Sequence, residues 1–112
     1  MRLIRAIVRP ECEEGIVKGL DSAGLGAMTK IGVFGQGRQK AKTETPVEWD
    51  EPLSRFDPVP KTMLMIIAQD DAVHTIVSVI MDAARTGKAG DGKIFVSSVE
   101  EVYSVRTGAT GQ

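Results

Sequence analysis

The feature that most constrains the fold is an interruption: the stretch from Gly35 to Pro60, charged and rich in glycine and proline, between two strongly apolar segments. It opens Gly35-Gln36-Gly37-Arg38-Gln39-Lys40 and carries Pro46, Pro52, Pro58 and Pro60 among mixed charges, so no regular element is predicted within it. Loops this long in compact domains are functional or disordered. In a chain of 112 residues, a single domain spanning 1–112, this leaves two short blocks to make one core. A protomer that small buries limited surface, and self-association would stabilise it.

Each block reads strand, helix, strand. Arg2 to Arg9 is an apolar strand stopped by Pro10, and Ile16, Val17, Leu20 and Ala23 recur at helical spacing over roughly residues 11–23. Gly24 stands where a helix C-cap is expected, and Ala27 to Phe34 forms a second strand. Lys61 to Ala68 is the third strand. Its run Met63-Leu-Met-Ile-Ile67 is apolar on both faces, as in a strand covered on each side. Asp70 or Asp71 is placed to cap a second helix with Val73, Ile76, Val77, Ile80, Met81 and Ala84 on its apolar face. Ile94 to Val96 and then Glu101 to Arg106 read as a last strand and its extension. The order predicts an α+β, ferredoxin-like βαββαβ sandwich with both helices on one sheet face. The other face then needs cover, so subunits are expected to pack sheet against sheet.

Composition narrows the function. A formal net charge of −1 argues against non-specific binding to nucleic acid or anionic membranes. No apolar run is long enough to span a bilayer and no signal peptide is recognisable, so neither membrane insertion nor export is expected. The single cysteine, Cys12, suits a reducing cytoplasm, and with one histidine, His74, a His/Cys metal site within one subunit is not expected.

Three basic, glycine-bearing clusters carry the chemistry. Thr86-Gly-Lys-Ala-Gly-Asp-Gly-Lys93 contains Gly87-x-x-x-x-Gly92-Lys93 but is followed by Ile94, so the hydroxyl that a P-loop offers to Mg²⁺ is missing. It also runs from helix into strand, the reverse of a P-loop. Glycine amides converging on an anion, with Lys88 and Lys93 adding charge, would still suit phosphate. Arg38 offers a forked donor in the Gly35–Lys40 cluster, and Val105-Arg106-Thr107-Gly108 supplies another guanidinium. Each cluster alone reads equally as a solvated surface, but together they favour a polyphosphate ligand. The acidic residues Glu44, Glu48, Asp50 and Glu51 read as a solvated arm, and Met63 and Met65 as core filling or a subunit contact. Trp49 and Phe56, aromatic in a polar arm, are candidate anchors for a partner protein or for packing on the arm's own stem.

Met1-Arg-Leu-Ile-Arg-Ala-Ile-Val-Arg-Pro10, Gly35-x-Gly37-Arg38-Gln39-Lys40, Thr86 to Val96 and Val105-Arg-Thr-Gly108 together resemble the PII family of nitrogen-regulatory signal proteins, in order along essentially the whole chain. Pro60 to Met65, Ala27 to Ile31 and Val99 to Tyr103 look most like its nitrogenase-associated branch. The resemblance implies a trimer with ATP or ADP in clefts between subunits, and 2-oxoglutarate bound beside ATP through Mg²⁺. It implies Thr29 and Ile67 near adenine and ribose, with Gly35, Gly37, Arg38, Gln39, Gly90, Asp91, Gly92 and Lys93 around the phosphates and Arg106 reaching across from a neighbour. Gln39 would hold Mg²⁺, and Gln39, Lys40, Ala41 and Lys61 would surround 2-oxoglutarate. The arm, residues 36–59, matches the family's T-loop, in which Trp49, Glu51 and Phe56 are the partner-contact candidates. Residues 85–93 match its B-loop and 101–112 its C-terminal segment.

The chain departs from the family pattern in three ways. The T-loop has no tyrosine, Tyr103 being the only one in the chain, so uridylylation there is chemically excluded. Ser104 stands where many members carry a phosphate-contacting arginine, and Ala41 replaces a common glycine. The reading implied is a non-enzymatic sensor acting on nitrogenase, as a homotrimer or as a mixed oligomer with a PII paralogue. The alternative targets are an ammonium transporter or glutamine synthetase. A ferredoxin-like RNA-binding module is disfavoured by charge and by few strand aromatics. A slow ATPase lacks an evident residue to activate water.

Overall fold

Strand, helix and strand repeat twice in the chain, as its periodicity predicts. In the computed structural model, which describes residues 1–35 and 58–111, β1 is Arg2–Val8, α1 Glu13–Ser22, β2 Thr29–Gly35, β3 Val59–Ala68, α2 Val73–Ala84 and β4 Gly92–Ser98. The sheet order is β2-β3-β1-β4, with every neighbouring pair antiparallel. This is the α+β, ferredoxin-like arrangement. The residues expected at 36–57, Gly37, Arg38, Gln39, Lys40, Ala41, Trp49, Glu51 and Phe56 among them, lie outside the described residues.

Alternation along the central strands sorts side chains by face. Ile4, Ala6 and Val8 of β1 and Leu64, Ile66 and Ala68 of β3 are buried beneath Ile16 and Leu20 of α1 and Ile76, Ile80 and Ala84 of α2. The helices can approach because residue 19 lacks a side chain: a Cβ there would sit 2.7 Å from Val79 Cγ1. Thr62, the buried polar residue in this layer, donates its hydroxyl proton to Glu13, which also accepts from Lys30 Nζ at 3.0 Å. That trio ties the first turn of α1 to β2 and β3.

On the opposite face the register lines up Ile31, Met63, Ile7 and Lys93 in one row, and Thr29, Met65, Arg5 and Phe95 in the next. Ile67 pairs with Leu3 beyond them. No element of the described chain covers this face, and Phe95 is 49% exposed.

Two local expectations are corrected. Neither Asp70 nor Asp71 caps α2. A 3₁₀ turn, Asp70–Ala72, precedes that helix, whose N-cap Ala72 makes no side-chain cap. Asp70 accepts instead from the chain's terminal ammonium at 2.9 Å and from Arg2 Nε at 3.4 Å, a stronger pairing for a carboxylate than a backbone amide. Glu101 to Arg106 does not extend the sheet either. It folds into a small hairpin in which Tyr103 bridges Thr110 and Gly108, at φ 74°, lets its N–H return to the Ser104 carbonyl at 2.7 Å. Gly24 does end α1 as read: its N–H meets the Asp21 carbonyl and that of Leu25 the Leu20 carbonyl, the paired bonds of a Schellman turn.

Candidate functional site

Antiparallel pairing gathers four chain ends at one edge of the sheet. β1 ends at Val8, beside Gly92 on one side and Thr62 on the other, and Gly35 pairs with Val59 where the 36–57 segment departs and returns. Residues distant in sequence therefore meet here: Arg9, Lys61 and the loop Thr86–Asp91.

The loop is organised around Asp91. Its carboxylate accepts from Arg9 Nη1, from the Thr86 hydroxyl, and from the Thr86 and Gly87 backbone N–H groups at 2.7 and 2.8 Å. These donors, the Thr86 hydroxyl first, hold the Asp91 carboxyl well below the usual carboxylate range. The same ion pair, led by its hydrogen bond, raises the already high pKa of Arg9. Two further cations take loop carbonyls: Arg9 Nη2 donates to Ala89 O at 2.9 Å, and Lys61 Nζ to Gly90 O at 2.6 Å. Gly92 is required where the loop joins β4, since at φ 118° a Cβ would run into the Ile7 carbonyl oxygen. Beside this junction, Val8, Met81, Ala84, Arg85 and Ile94 line a cleft of about 190 Å³.

Thr29 and Ile67 lie at the other end. An open cleft of about 400 Å³ beside Ile67 is lined by Leu25, Ala27, Ile66, Ala72 and Ile76 with Gln69, a mostly apolar surface suited to a flat base; Thr29 is near this end but not in its lining. From Thr29 to Gly35, β2 advances roughly 20 Å at about 3.3 Å per residue. A ligand touching both ends would be elongated, as a nucleoside triphosphate is.

Of the site residues read from sequence, Gly35, Lys61, Gly90, Asp91, Gly92 and Lys93 gather at the loop end. Thr29 and Ile67 gather at the cleft end. The Asp91 carboxylate is consumed within the loop. Arg106 joins neither group: β4 leaves the sheet beside Met1, where Val99 N–H donates to Met1 O at 3.2 Å, and the hairpin bearing Arg106 follows. Its guanidinium makes no hydrogen bond or ion pair among the described residues. Gln39, the expected Mg²⁺ ligand, is outside the described residues, among which no group of three or more His, Cys, Asp or Glu converges for a metal. Sequence reasoning missed Arg9 and Thr86. A cation directly after β1 was the only signal for Arg9, and its partner stands 82 residues away.

Among the described residues no helix is long and apolar enough to cross a membrane. The family profile described as "Nitrogen regulatory protein P-II" matches residues 1–109. The chain is 46% identical over 111 residues, 99% of each protein, to "Nitrogen fixation nifHD region GlnB-like protein 1" of Methanothermobacter marburgensis. It is 44% identical, again over 99% of each, to the protein of the same description from Methanococcus maripaludis. It is also 44% identical over its full length to "Nitrogen regulatory protein P-II 2" of Methanothermobacter thermautotrophicus, 95% of which is covered.

Proposed function

The chain belongs to the nitrogen regulatory protein P-II family, in the branch of the nifHD-region proteins, and from that premise we propose a non-enzymatic, cytoplasmic sensor that reports ATP, ADP and 2-oxoglutarate to nitrogenase. The observation that carries this reading is the convergence of Lys61, the Gly90–Lys93 loop and both stems of the 36–57 arm at one sheet edge. A ligand held there acts on the arm directly.

Three subunits pack through the bare sheet faces. Ile7, Ile31, Met63, Met65, Ile67 and Phe95 form an apolar patch of the kind that marks an interface. Arg106, remote from the loop of its own chain, then reaches the phosphates of a ligand bound to its neighbour. Within each cleft the Thr29–Ile67 end receives adenine. The amides of Gly90 to Lys93, with Gly37, Arg38 and the Lys93 ammonium, receive the phosphates, and Lys61 meets a carboxylate of 2-oxoglutarate. Gln39 is the residue that would hold Mg²⁺, which when bound would supply positive charge to offset that of the anionic ligands. Gln39 to Ala41, shared between ligand and arm, transmit occupancy to Trp49, Glu51 and Phe56. Ligands shift the arm only by their difference in affinity for its conformations, typically about 1–3 kcal/mol. The nifHD-region names of the relatives support nitrogenase over an ammonium transporter or glutamine synthetase as the target, and a PII paralogue as a companion in a mixed oligomer.

Calorimetry with ATP, Mg²⁺ and 2-oxoglutarate tests the reading. We expect 2-oxoglutarate to bind only with ATP and Mg²⁺ present, and Lys61→Ala to lose that response while retaining ATP. Equal binding of 2-oxoglutarate without ATP would refute the shared site. Purification of partners from native extract, with and without 2-oxoglutarate, identifies the target.

A further inference from the structure

We infer that Arg9 is a positioning residue for the phosphate cradle: it holds the Thr86–Asp91 loop so that its amides, rather than its carbonyls, face the ligand. The inference rests on the nucleotide reading above and assigns a role that this reading does not supply.

In a planar trans peptide the C=O and N–H point in opposite directions. No cis peptide occurs among the described residues. Arg9 Nη2 draws the Ala89 carbonyl inward at 2.9 Å, so the N–H of that same peptide, which is Gly90's, points outward. Lys61 Nζ draws the Gly90 carbonyl inward at 2.6 Å, so the N–H of Asp91 points away from it as well. The Gly90 amide has no hydrogen-bond partner among the described residues, while Ala89 and Gly90 form the turn that directs the Asp91 N–H toward the Lys88 carbonyl. Gly90, at φ 95°, permits successive amides to converge, the geometry of an anion-binding nest.

Glycines that allow this arrangement also allow its reverse. With Arg9 removed, the Ala89–Gly90 peptide turns at little steric cost and presents a carbonyl to the phosphates. The sign of the loop's field toward an anion is therefore set from behind. Arg9 is suited to that work because Asp91 neutralises it and the planar guanidinium spans the Asp91 carboxylate and the Ala89 carbonyl at once. A lysine ammonium concentrates its donors at one point. Lys61 holds a neutral carbonyl alone and is the exchangeable clamp, whereas Arg9 is the fixed one.

The test compares ATP, ADP and adenosine by competition against a fluorescent nucleotide in wild type, Arg9→Gln, Arg9→Lys and Asp91→Asn. Arg9→Gln should weaken ATP and ADP about tenfold or more, the scale of a lost charge-assisted hydrogen bond, and leave adenosine within about twofold. Arg9→Lys should fall between wild type and Arg9→Gln, and Asp91→Asn should show the same phosphate-specific loss in milder form. Adenosine affinity doubles as the check on folding. Should Arg9→Gln not fold, Arg9→Lys and Asp91→Asn carry the comparison. Adenosine falling in parallel with ATP would reduce Arg9 to a general structural residue and overturn the inference, as would ATP affinity unchanged in every variant. Wild type that binds no ATP would sink the nucleotide reading itself.

Discussion

The two faces of the sheet are built from the same strands and have opposite fates. Along β3, Leu64 and Ile66 are 1% and 2% exposed beneath the helices, while Met63, Met65 and Ile67, which alternate with them, are only partly covered. Hydrophobicity does not distinguish the two sets; the available cover does. One face is completed by the chain's own helices, and the other keeps an apolar surface that the described chain leaves open. Folding rests on one set of alternating residues of this strand, and the assembly proposed above would use the other set.

The sharpest way to break the comparison is Leu64→Ala. Truncating a buried leucine should cost about 2–5 kcal/mol of folding stability, read as a lowered urea midpoint at matched protein concentration, with no change in subunit number. A loss under about 1 kcal/mol would mean that the covered face is not the folding core.

Met63→Lys attacks the other face. Met63 lies between Ile31 and Ile7 in the register, so a lysine there brings an unpaired polar group into the proposed interface, a cost of about 1–3 kcal/mol. Subunit association should weaken by one to two decades, seen as trimer mass giving way to protomer mass on dilution while the far-ultraviolet spectrum is retained. Unchanged mass at every concentration would remove this face from the assembly. The result also bears on stability, because a folded form held by association has a midpoint that depends on concentration.

The contrast between faces was legible in Met63-Leu-Met-Ile-Ile67, because a strand's period of two assigns every second residue to one side whatever the register. The helices, the sheet class and the glycine that ends α1 were legible for the same reason: each follows from local spacing. What escaped were choices between competing partners. Asp70 satisfies the local rule for a helix cap, but the terminal ammonium and Arg2, brought close by pairing of β1 with β3, outbid it. Glu101 to Arg106 has strand-like alternation, yet β4 already supplies the edge and Gly108 permits reversal. Arg9 was unreadable as part of the site because its role depends on Asp91, and only the antiparallel register of β1 with β4 makes them neighbours. The loop end of the candidate site was suggested by glycine and lysine clusters and the Thr29–Ile67 end by the family resemblance alone, and their separation along β2 came only from the structure.

Acid provides the gentlest probe, since it reaches the two faces unequally. Glu13 on the covered side accepts hydrogen bonds from Thr62 and Lys30, in that order of influence, and its carboxyl is held below the usual range. On the bare face Arg5 and Lys93 have no ion-pair partner among the described residues. A carboxyl with a native pKa below its unfolded value, about 4.3 for glutamate, stabilises the fold fully above that value and loses its contribution as pH falls through the native one. Glu13→Gln should therefore lower the urea midpoint slightly at pH 7, and its difference from wild type should shrink as pH drops below about 4. Subunit mass at pH 7 should not change, because the residue lies on the helix side. A midpoint difference that stayed constant from neutral pH into acid would show that the Glu13 carboxylate gains nothing from Thr62 and Lys30. A change in subunit number would show that the covered and bare faces are coupled, so that the strand does not divide folding from assembly.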